Sequence, residues 1–231
     1  MSRTEPAGLR AALARGRVVL PGCHDPLSAR LAAEAGARAV FLAGSAVGRA
    51  LFDEADVPTR GASTYLRYVE LVCTASPVPV VVDGEEGFGD PVGTARALAR
   101  AGAAGIAVGD GGAPGFADIV SAIRAATDLV VVARADGLGA GADPAPTAAL
   151  LRAYRAAGAE LVLPLLSRVP ADRLAAVLAA LATDGLAVHA RRTETLPTAL
   201  PSEVAAVLVT GVSVPTSHTH LSAVLAVLSA F

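Results

Sequence analysis

Val80-Val81-Val82-Asp83-Gly84-Glu85-Glu86-Gly87-Phe88-Gly89-Asp90 is an apolar run that breaks abruptly into three closely spaced acids and a glycine-rich turn. A valine run of this kind fits a parallel strand covered on both faces. Burying adjacent carboxylates is costly unless a cation or strong donors compensate. The acids therefore belong at the open end of the strand, and the stretch reads as a metal site there.

Outward from this stretch, one unit recurs along the chain without a linker. Short β-branched or leucine-rich runs stand at 18–20, 39–42, 78–82, 105–108, 129–133, 161–163, 186–188 and 207–209, which makes eight strand candidates. Between them lie alanine- and leucine-rich helical patterns, several opened by an acid and a proline: Asp25-Pro26, Asp90-Pro91 and Asp143-Pro144. The acid can cap such a helix, and proline fits its first turn. Gly36, Gly102 and Gly158 each stand just before a strand, as suits a glycine beyond a helix C-terminus. Eight such units in 231 residues predict an α/β fold, a (β/α)8 TIM barrel forming one domain over 1–231, with an additional N-terminal helix near 6–15. A doubly wound open sheet is the structural alternative.

Composition narrows the function. Hydrophobic residues make up 53% of the chain and charged residues 17%, yet no apolar run reaches the ~18 residues of a membrane span. No membrane partner is expected. The opening segment lacks the apolar core of a secretory signal, so the expected location is the cytoplasm. The net charge of −2 and 3% aromatic content supply neither the basic surface nor the stacking platform of a nucleic-acid binder. Two cysteines, Cys23 and Cys73, make no disulfide framework and no paired-cysteine zinc pattern. All 19 basic residues are arginine, which excludes lysine Schiff bases, P-loop lysines and covalently held pyridoxal phosphate.

In a barrel of this kind the active site lies where the strands run into the following loops. Polar residues collect there. Cys23, His24 and Asp25 follow the first strand, Gly44 and Ser45 the second, Asp83, Glu85 and Glu86 the third, and Asp110 the fourth. Arg134 and Asp136 follow the fifth, and His189, Arg191 and Arg192 the seventh, whereas the sixth runs into Pro164-Leu165-Leu166. Acids on one side and arginines on another suit a divalent cation holding a small anionic substrate. An oxygen-rich, cysteine-poor site favours magnesium or manganese over zinc.

Several of these residues have a structural reading as well. Asp83 and Glu85 read either as metal or substrate ligands or as solvated strand-end acids. Glu86 reads as a loop salt-bridge partner, and Asp110 as a turn cap as readily as a ligand. Asp136 is placed to orient Arg134, and Asp25 doubles as a helix cap and a catalytic candidate. Cys73 lies in a helical pattern and reads as core, whereas Cys23 beside His24 is a candidate nucleophile. His189 is either a satisfied barrel histidine or a general base. Arg191 and Arg192 can meet a distal anionic group or only solvent, and His218 and His220 read as structural.

Pro21-Gly22-Cys23-His24-Asp25-Pro26-Leu27-Ser28-Ala29 is similar to the opening strand and turn of the isocitrate lyase and phosphoenolpyruvate mutase superfamily. Asp83-Gly84-Glu85-Glu86-Gly87-Phe88-Gly89 resembles its Asp-x-Asp-x-Gly-Tyr-Gly signature, and Val132-Ala133-Arg134-Ala135-Asp136 its Ala-Arg-Thr-Asp strand. The resemblance implies an oligomeric barrel, often with an exchanged C-terminal helix, that uses magnesium to bind a 2-oxo acid or its enolate. It makes Asp83 and Glu85 the metal-side carboxylates. Gly44, Ser45 and Ala46 become backbone donors to the substrate carboxylate, and Arg134 a bidentate holder of its oxygens.

Departures from the pattern are also plain. Gly109-Asp110 stands where the family has Glu-Asp, so one metal-side carboxylate is either missing or replaced by Asp110. The lyases' loop with lysine, cysteine, glycine and histidine has no counterpart in Gly111-Gly112-Ala113-Pro114-Gly115, and Leu165 replaces a glutamate or histidine. The C-terminal part looks shortened, which puts the helix exchange in doubt.

Two classes of function follow. One is a magnesium-dependent lyase that cleaves a small 2-oxo or 2-hydroxy acid by retro-aldol reaction or decarboxylation through an enolate, with phosphonate mutase or hydrolase chemistry as its variant. The other is a divergent protein that binds a small anionic ligand or runs metal-free chemistry, with Cys23, His24 and His189 as the groups to test.

Overall fold

The structure, a computed structural model, describes residues 4–138, 142–190 and 200–210. Eight parallel strands close into a barrel in sequence order: β1 (Val18–Cys23), β2 (Val40–Leu42), β3 (Val80–Asp83), β4 (Gly105–Gly109), β5 (Val130–Ala135), β6 (Leu161–Pro164), β7 (Leu186–Ala190) and β8 (Val204–Val209), the last pairing with β1. The predicted barrel is thus the observed fold, and every expected run is a strand. The strand ends differ from expectation in one useful respect. Cys23, Asp83, Arg134 and His189 are the last or nearly last residues of their strands, so the rigid ladder positions them rather than the loops.

The helices are α1 (Pro6–Ala14), α2 (Pro26–Glu34), α3 (Gly44–Phe52), α4 (Ala62–Ala75), α5 (Pro91–Arg100), α6 (Phe116–Ala126), α7 (Pro144–Ala156) and α8 (Leu174–Ala180). Their starts follow the predicted chemistry. Asp25 accepts from the Ser28 N–H at 2.6 Å in a full capping box, Asp90 from the Gly93 N–H at 2.9 Å, and Asp143 from the Ala145 N–H at 3.0 Å. Gly36, Gly102 and Gly158 all take the left-handed backbone that ends a helix. The β2–β3 connection departs from the simple repeat: Gly44-Ser45-Ala46, expected as a strand-end loop, is the first turn of α3, and α4 follows a short 3-10 turn at Thr59–Gly61.

Side chains along each strand alternate between two apolar clusters. One set, including Val40, Leu42, Val80, Val82, Ile106, Val108, Val131 and Ala133, packs with the helices. The other, including Leu20, Phe41, Val81, Ala107, Val132, Leu163, Ala187 and Leu208, fills the barrel. Carried to the strand ends, this alternation turns Gly22, Asp83, Gly109, Arg134 and His189 toward the mouth. At β8 the phase is reset by a bulge: Leu186 pairs with Val204 but Ala187 with Ala206, so the extra residue turns Leu208 inward.

Helix α1 closes the opposite end. Leu9 and Ala12 are buried in the inner cluster, and Arg10 pairs with Asp128 at 3.1 Å and Glu160 at 2.8 Å. Glu160 also accepts from the Val131 N–H at 3.0 Å, tying the plug to the β5 ladder. Among the described residues no helix is long and apolar enough to cross a membrane.

Leu9 is wholly buried in the barrel floor, so Leu9→Ala is expected to destabilise the fold by about 2–5 kcal/mol. Urea unfolding checks this, and an unchanged midpoint would show that α1 does not plug the barrel.

Candidate active site

The mouth is built around charge that water does not neutralise. Asp83 ends β3 with its side chain only 16% exposed, and Arg134 ends the inward face of β5 at 15%. Their closest charged atoms stand 3.5 Å apart. The Arg134 guanidinium meets two further carboxylates: Nε donates to Asp136 Oδ1 at 2.6 Å, and Nη2 to Glu86 Oε1 at 3.0 Å. Burial works against the Arg134 charge, but Asp83, Asp136 and Glu86 together hold its pKa above the ordinary value. Asp136 therefore does orient the arginine.

Asp83 and Glu85 converge over the start of α3. Asp83 Oδ2 accepts from the Gly44 N–H at 3.3 Å, and Oδ1 from the Glu85 N–H at 3.2 Å. Glu85 Oε1 faces the Val57 N–H at 3.5 Å. A Cβ on residue 44 would lie 2.1 Å from Glu85 Oε1 and 3.1 Å from Asp83 Oδ2, so a side chain there would push the Glu85 carboxylate out of its place beside Asp83. Glu85 also takes a left-handed backbone at φ 51°, uncommon for a residue with a side chain. Burial raises the Asp83 carboxyl above its usual range against the pull of Arg134. Glu85 is pushed up to about 9, first by burial and then by the charges of Asp83 and Asp56.

Asp56 was not visible as a site residue in the sequence. With Glu85, Glu86 and Thr59 it lines a cavity of about 210 Å³ beside the acids. Gly48 lets it approach, since a Cβ there would lie 2.5 Å from the Asp56 carbonyl carbon.

The alternation of side chains corrects two expected placements. Cys23 is fully buried on the helix-facing side of β1, and burial, with Cys73 nearby, pushes its thiol up to about 12. It is a core residue and stays a thiol at neutral pH, which removes it as a nucleophile. Asp110 lies one residue past the inward Gly109 and so faces the helices. Its Oδ2 accepts from the buried Tyr154 hydroxyl at 2.7 Å, and its Oδ1 from the backbone N–H groups of Gly112 at 2.8 Å and Asp136 at 3.0 Å. It braces the loop that carries Asp136. Gly109 itself faces the mouth, where the arginine fills the space a side chain would need: a Cβ there would meet Arg134 Nη2 and Asp136 Oδ2 at 2.5 Å each.

His24 and Asp25 pair at 3.6 Å beside the start of α2. Burial raises the Asp25 carboxyl, but its hydrogen bonds with Ser28 and the His24 charge together hold it below the ordinary value. Both residues line a cavity of about 730 Å³ on the outer side of β1 and α2, lined also by Val19, Leu27 and Leu31. His189 lies half-buried on the inward face of β7, its Nε2 2.7 Å from Thr210 Oγ1. Arg191, Arg192, His218 and His220 lie outside the described residues.

Two tyrosines that sequence reasoning passed over hold the mouth from behind. Tyr65 on α4 donates to the Asp83 carbonyl at 2.7 Å, and Tyr154 on α7 to Asp110. A tyrosine in an otherwise apolar helical face needs a hydroxyl partner, and that signal could have flagged both.

Among the described residues no three His, Cys, Asp or Glu side chains form a ready-made metal cluster. The paired acids nevertheless fit magnesium, which is commonly held by one or two carboxylates and keeps water or substrate oxygens for the rest. Two buried carboxylates with raised pKa values, converging on one point, are a donor set that a divalent cation would stabilise.

Residues 9–230 match the family described as phosphoenolpyruvate phosphomutase. The chain belongs to this family. The resemblance carried by the three motifs is therefore borne out. Among its relatives is a 2-methylisocitrate lyase of Aeropyrum pernix, 33% identical over 170 residues, which cover 65% of this chain and 54% of that protein. An oxaloacetate decarboxylase of Rhodopseudomonas palustris (strain BisB18) is 29% identical over 157 residues, 59% of this chain and 54% of that one. The chain thus spans about half the length of these relatives. The crystal structure of a phosphonopyruvate hydrolase complex with oxalate and Mg++ superposes with a TM-score of 0.86 at 24% identity, covering 98% of this chain and 87% of that one, which shows the shared barrel.

Because Glu85 titrates near 9 when folded and at its ordinary 4.5 when unfolded, the folded state binds its proton more tightly. The stability this confers is full below 4.5 and is lost as pH rises through about 9. In metal-free buffer the wild-type urea midpoint should fall over that window relative to its value at acid pH, and Glu85→Gln should flatten the decline. Parallel pH profiles would refute the buried-acid assignment.

Proposed function

We propose that this protein is a magnesium-dependent lyase acting on a small 2-oxo or 2-hydroxy acid through an enolate, by retro-aldol cleavage or decarboxylation. The observation that carries this reading is the convergence of Asp83 and Glu85 on the N-terminal turn of α3, beside the Arg134 guanidinium. The relatives named for 2-methylisocitrate and oxaloacetate chemistry support it, as does the related barrel bound to oxalate and magnesium. Oxalate is a stable mimic of the pyruvate enolate.

In this reading Asp83 and Glu85 hold the magnesium ion, which when bound supplies Lewis-acid polarisation of the 2-oxo group. The backbone at Gly44, Ser45 and Ala46, with the positive end of the α3 dipole, binds the substrate carboxylate, to which the Gly44 N–H would pass from Asp83 and the Ala46 N–H from the Ala43 carbonyl. Arg134, oriented by Asp136, binds its oxygens bidentately. Glu86 currently takes one edge of that guanidinium, but its side chain is 58% exposed, and so exposed a pair is weak. The substrate carboxylate takes its place. His189, on the opposite wall, handles the proton. A small homo-oligomer acting on a small anionic substrate in the cytoplasm completes the proposal, with the whole chain as one domain.

A second reading rests on Gly109. The arginine fills the space over it and already neutralises Asp83, which suits an anion site centred on the guanidinium and independent of metal.

Calorimetric titration with oxalate separates the two. Under the lyase reading, binding requires magnesium and is lost in Asp83→Ala. Glu86→Ala, by removing a competitor for Arg134, tightens it by up to about fivefold, the equivalent of ~1 kcal/mol. Equal binding without magnesium supports the second reading, and no binding in either condition overturns both.

A further inference from the structure

The His189–Thr210 contact joins two residues from neighbouring strands at the mouth, and the local sequence is arranged to make it. Thr210 follows β8 directly, with its N–H donating to the Ala190 carbonyl at 3.0 Å. Its inward direction depends on the bulge. Without the extra residue between the Val204 and Ala206 pairings, every later side chain of β8 would turn to the other face. Arg17 supports that irregularity from outside, its Nε donating to the Val204 carbonyl at 2.8 Å. On the other side Gly22 of β1 leaves room, since a Cβ there would lie 2.8 Å from Thr210 Cα. An inserted residue, an arginine anchor and a glycine gap all set Thr210 where its Oγ1 lies 2.7 Å from His189 Nε2.

The placement across the barrel gives the pair its use. In the ring of eight strands β7 stands four places from β3, so His189 lies across the mouth from Asp83. A substrate held at Asp83, Glu85 and the α3 N-terminus would present its far side to the imidazole. We propose that Thr210 is the positioning residue for His189, holding the Nε2 edge of the ring and so its rotation, such that the imidazole delivers the proton which ends the reaction; this rests on the lyase reading above. In the retro-aldol case the substrate hydroxyl loses its proton to water as its C–O bond becomes C=O, in decarboxylation carbon dioxide leaves, and in both the electron pair of the breaking C–C bond enters the enolate. The enolate carbon then forms its new C–H bond with a proton from the His189 imidazolium, and the neutral ring regains one from water. Ring orientation is set by the hydrogen bond at one nitrogen, so a hydroxyl partner decides which edge is presented.

The test is nitrogen NMR of the full-length protein with labelled histidine, His189 being assigned by His189→Gln, in the wild type, Thr210→Val and Thr210→Ser. Thr210→Val keeps the shape and removes the hydroxyl. Thr210→Ser keeps the hydroxyl. Expected are His189 ring-nitrogen signals that shift in Thr210→Val and return to their wild-type positions in Thr210→Ser. Oxalate with magnesium should shift the wild-type His189 ring signals. Signals unchanged by Thr210→Val, or not recovered in Thr210→Ser, overturn the positioning role. Heat of oxalate binding with the His189 signals unmoved overturns this inference alone, whereas no heat at all overturns the lyase reading and this inference with it.

Discussion

The Arg134 guanidinium among three carboxylates is the interaction on which the mouth of this barrel depends. Asp83 is buried at the end of β3 and would be costly to ionise without a cation within reach. The arginine supplies that charge from two strands away, and Gly109 on the strand between has no side chain to keep the two apart. Asp136 fixes the arginine's Nε edge, and the Asp136 backbone is in turn held by Asp110, whose other oxygen meets Tyr154. The chain of support runs from the inner mouth, through a loop, to a buried tyrosine on the helix layer. Loss of any member would leave a buried polar group without its partner.

The same site carries unresolved repulsion on its other side. Glu85 is held in a left-handed backbone, beside Asp83 and near Asp56, with its carboxyl pushed far up. Buried acids of this kind are retained where charge is to be bound, and they recur at functional sites more than elsewhere. The fold meets the cost with the α3 backbone, which offers the Gly44 N–H, and with ladder hydrogen bonds that do not yield.

Much of this was legible in the sequence. The eight strands, the Asp-Pro helix starts and the stopping glycines each depend on local chemistry, and each is in the structure. The strand-end motif 83–89 placed its acids at an open mouth for a sound reason, since nothing else in the chain could accommodate them. What was not legible was phase. A parallel strand buried on both faces reads as unbroken valine, so nothing in Val80-Val81-Val82 or Val130-Val131-Val132 says which residue looks inward. Cys23 and Asp110 were therefore placed in the mouth with Asp83 and Arg134, though each lies on the opposite face. Thr210 was hidden for a related reason: its direction depends on a bulge that exists only once β8 has paired with β7. Asp56 comes from a turn between two helices, and only the folded chain brings it to Glu85.

The tyrosines have an optical consequence. The chain has no tryptophan and three tyrosines. Tyr65 is bonded to the Asp83 carbonyl, Tyr154 to Asp110, and Tyr68 to the His24 carbonyl at 3.0 Å. Every phenol in the molecule thus ends at the C-terminal rim of the barrel. The red edge of its ultraviolet absorption and its tyrosine emission come from that rim alone, so the protein carries an unlabelled reporter for the mouth of the barrel.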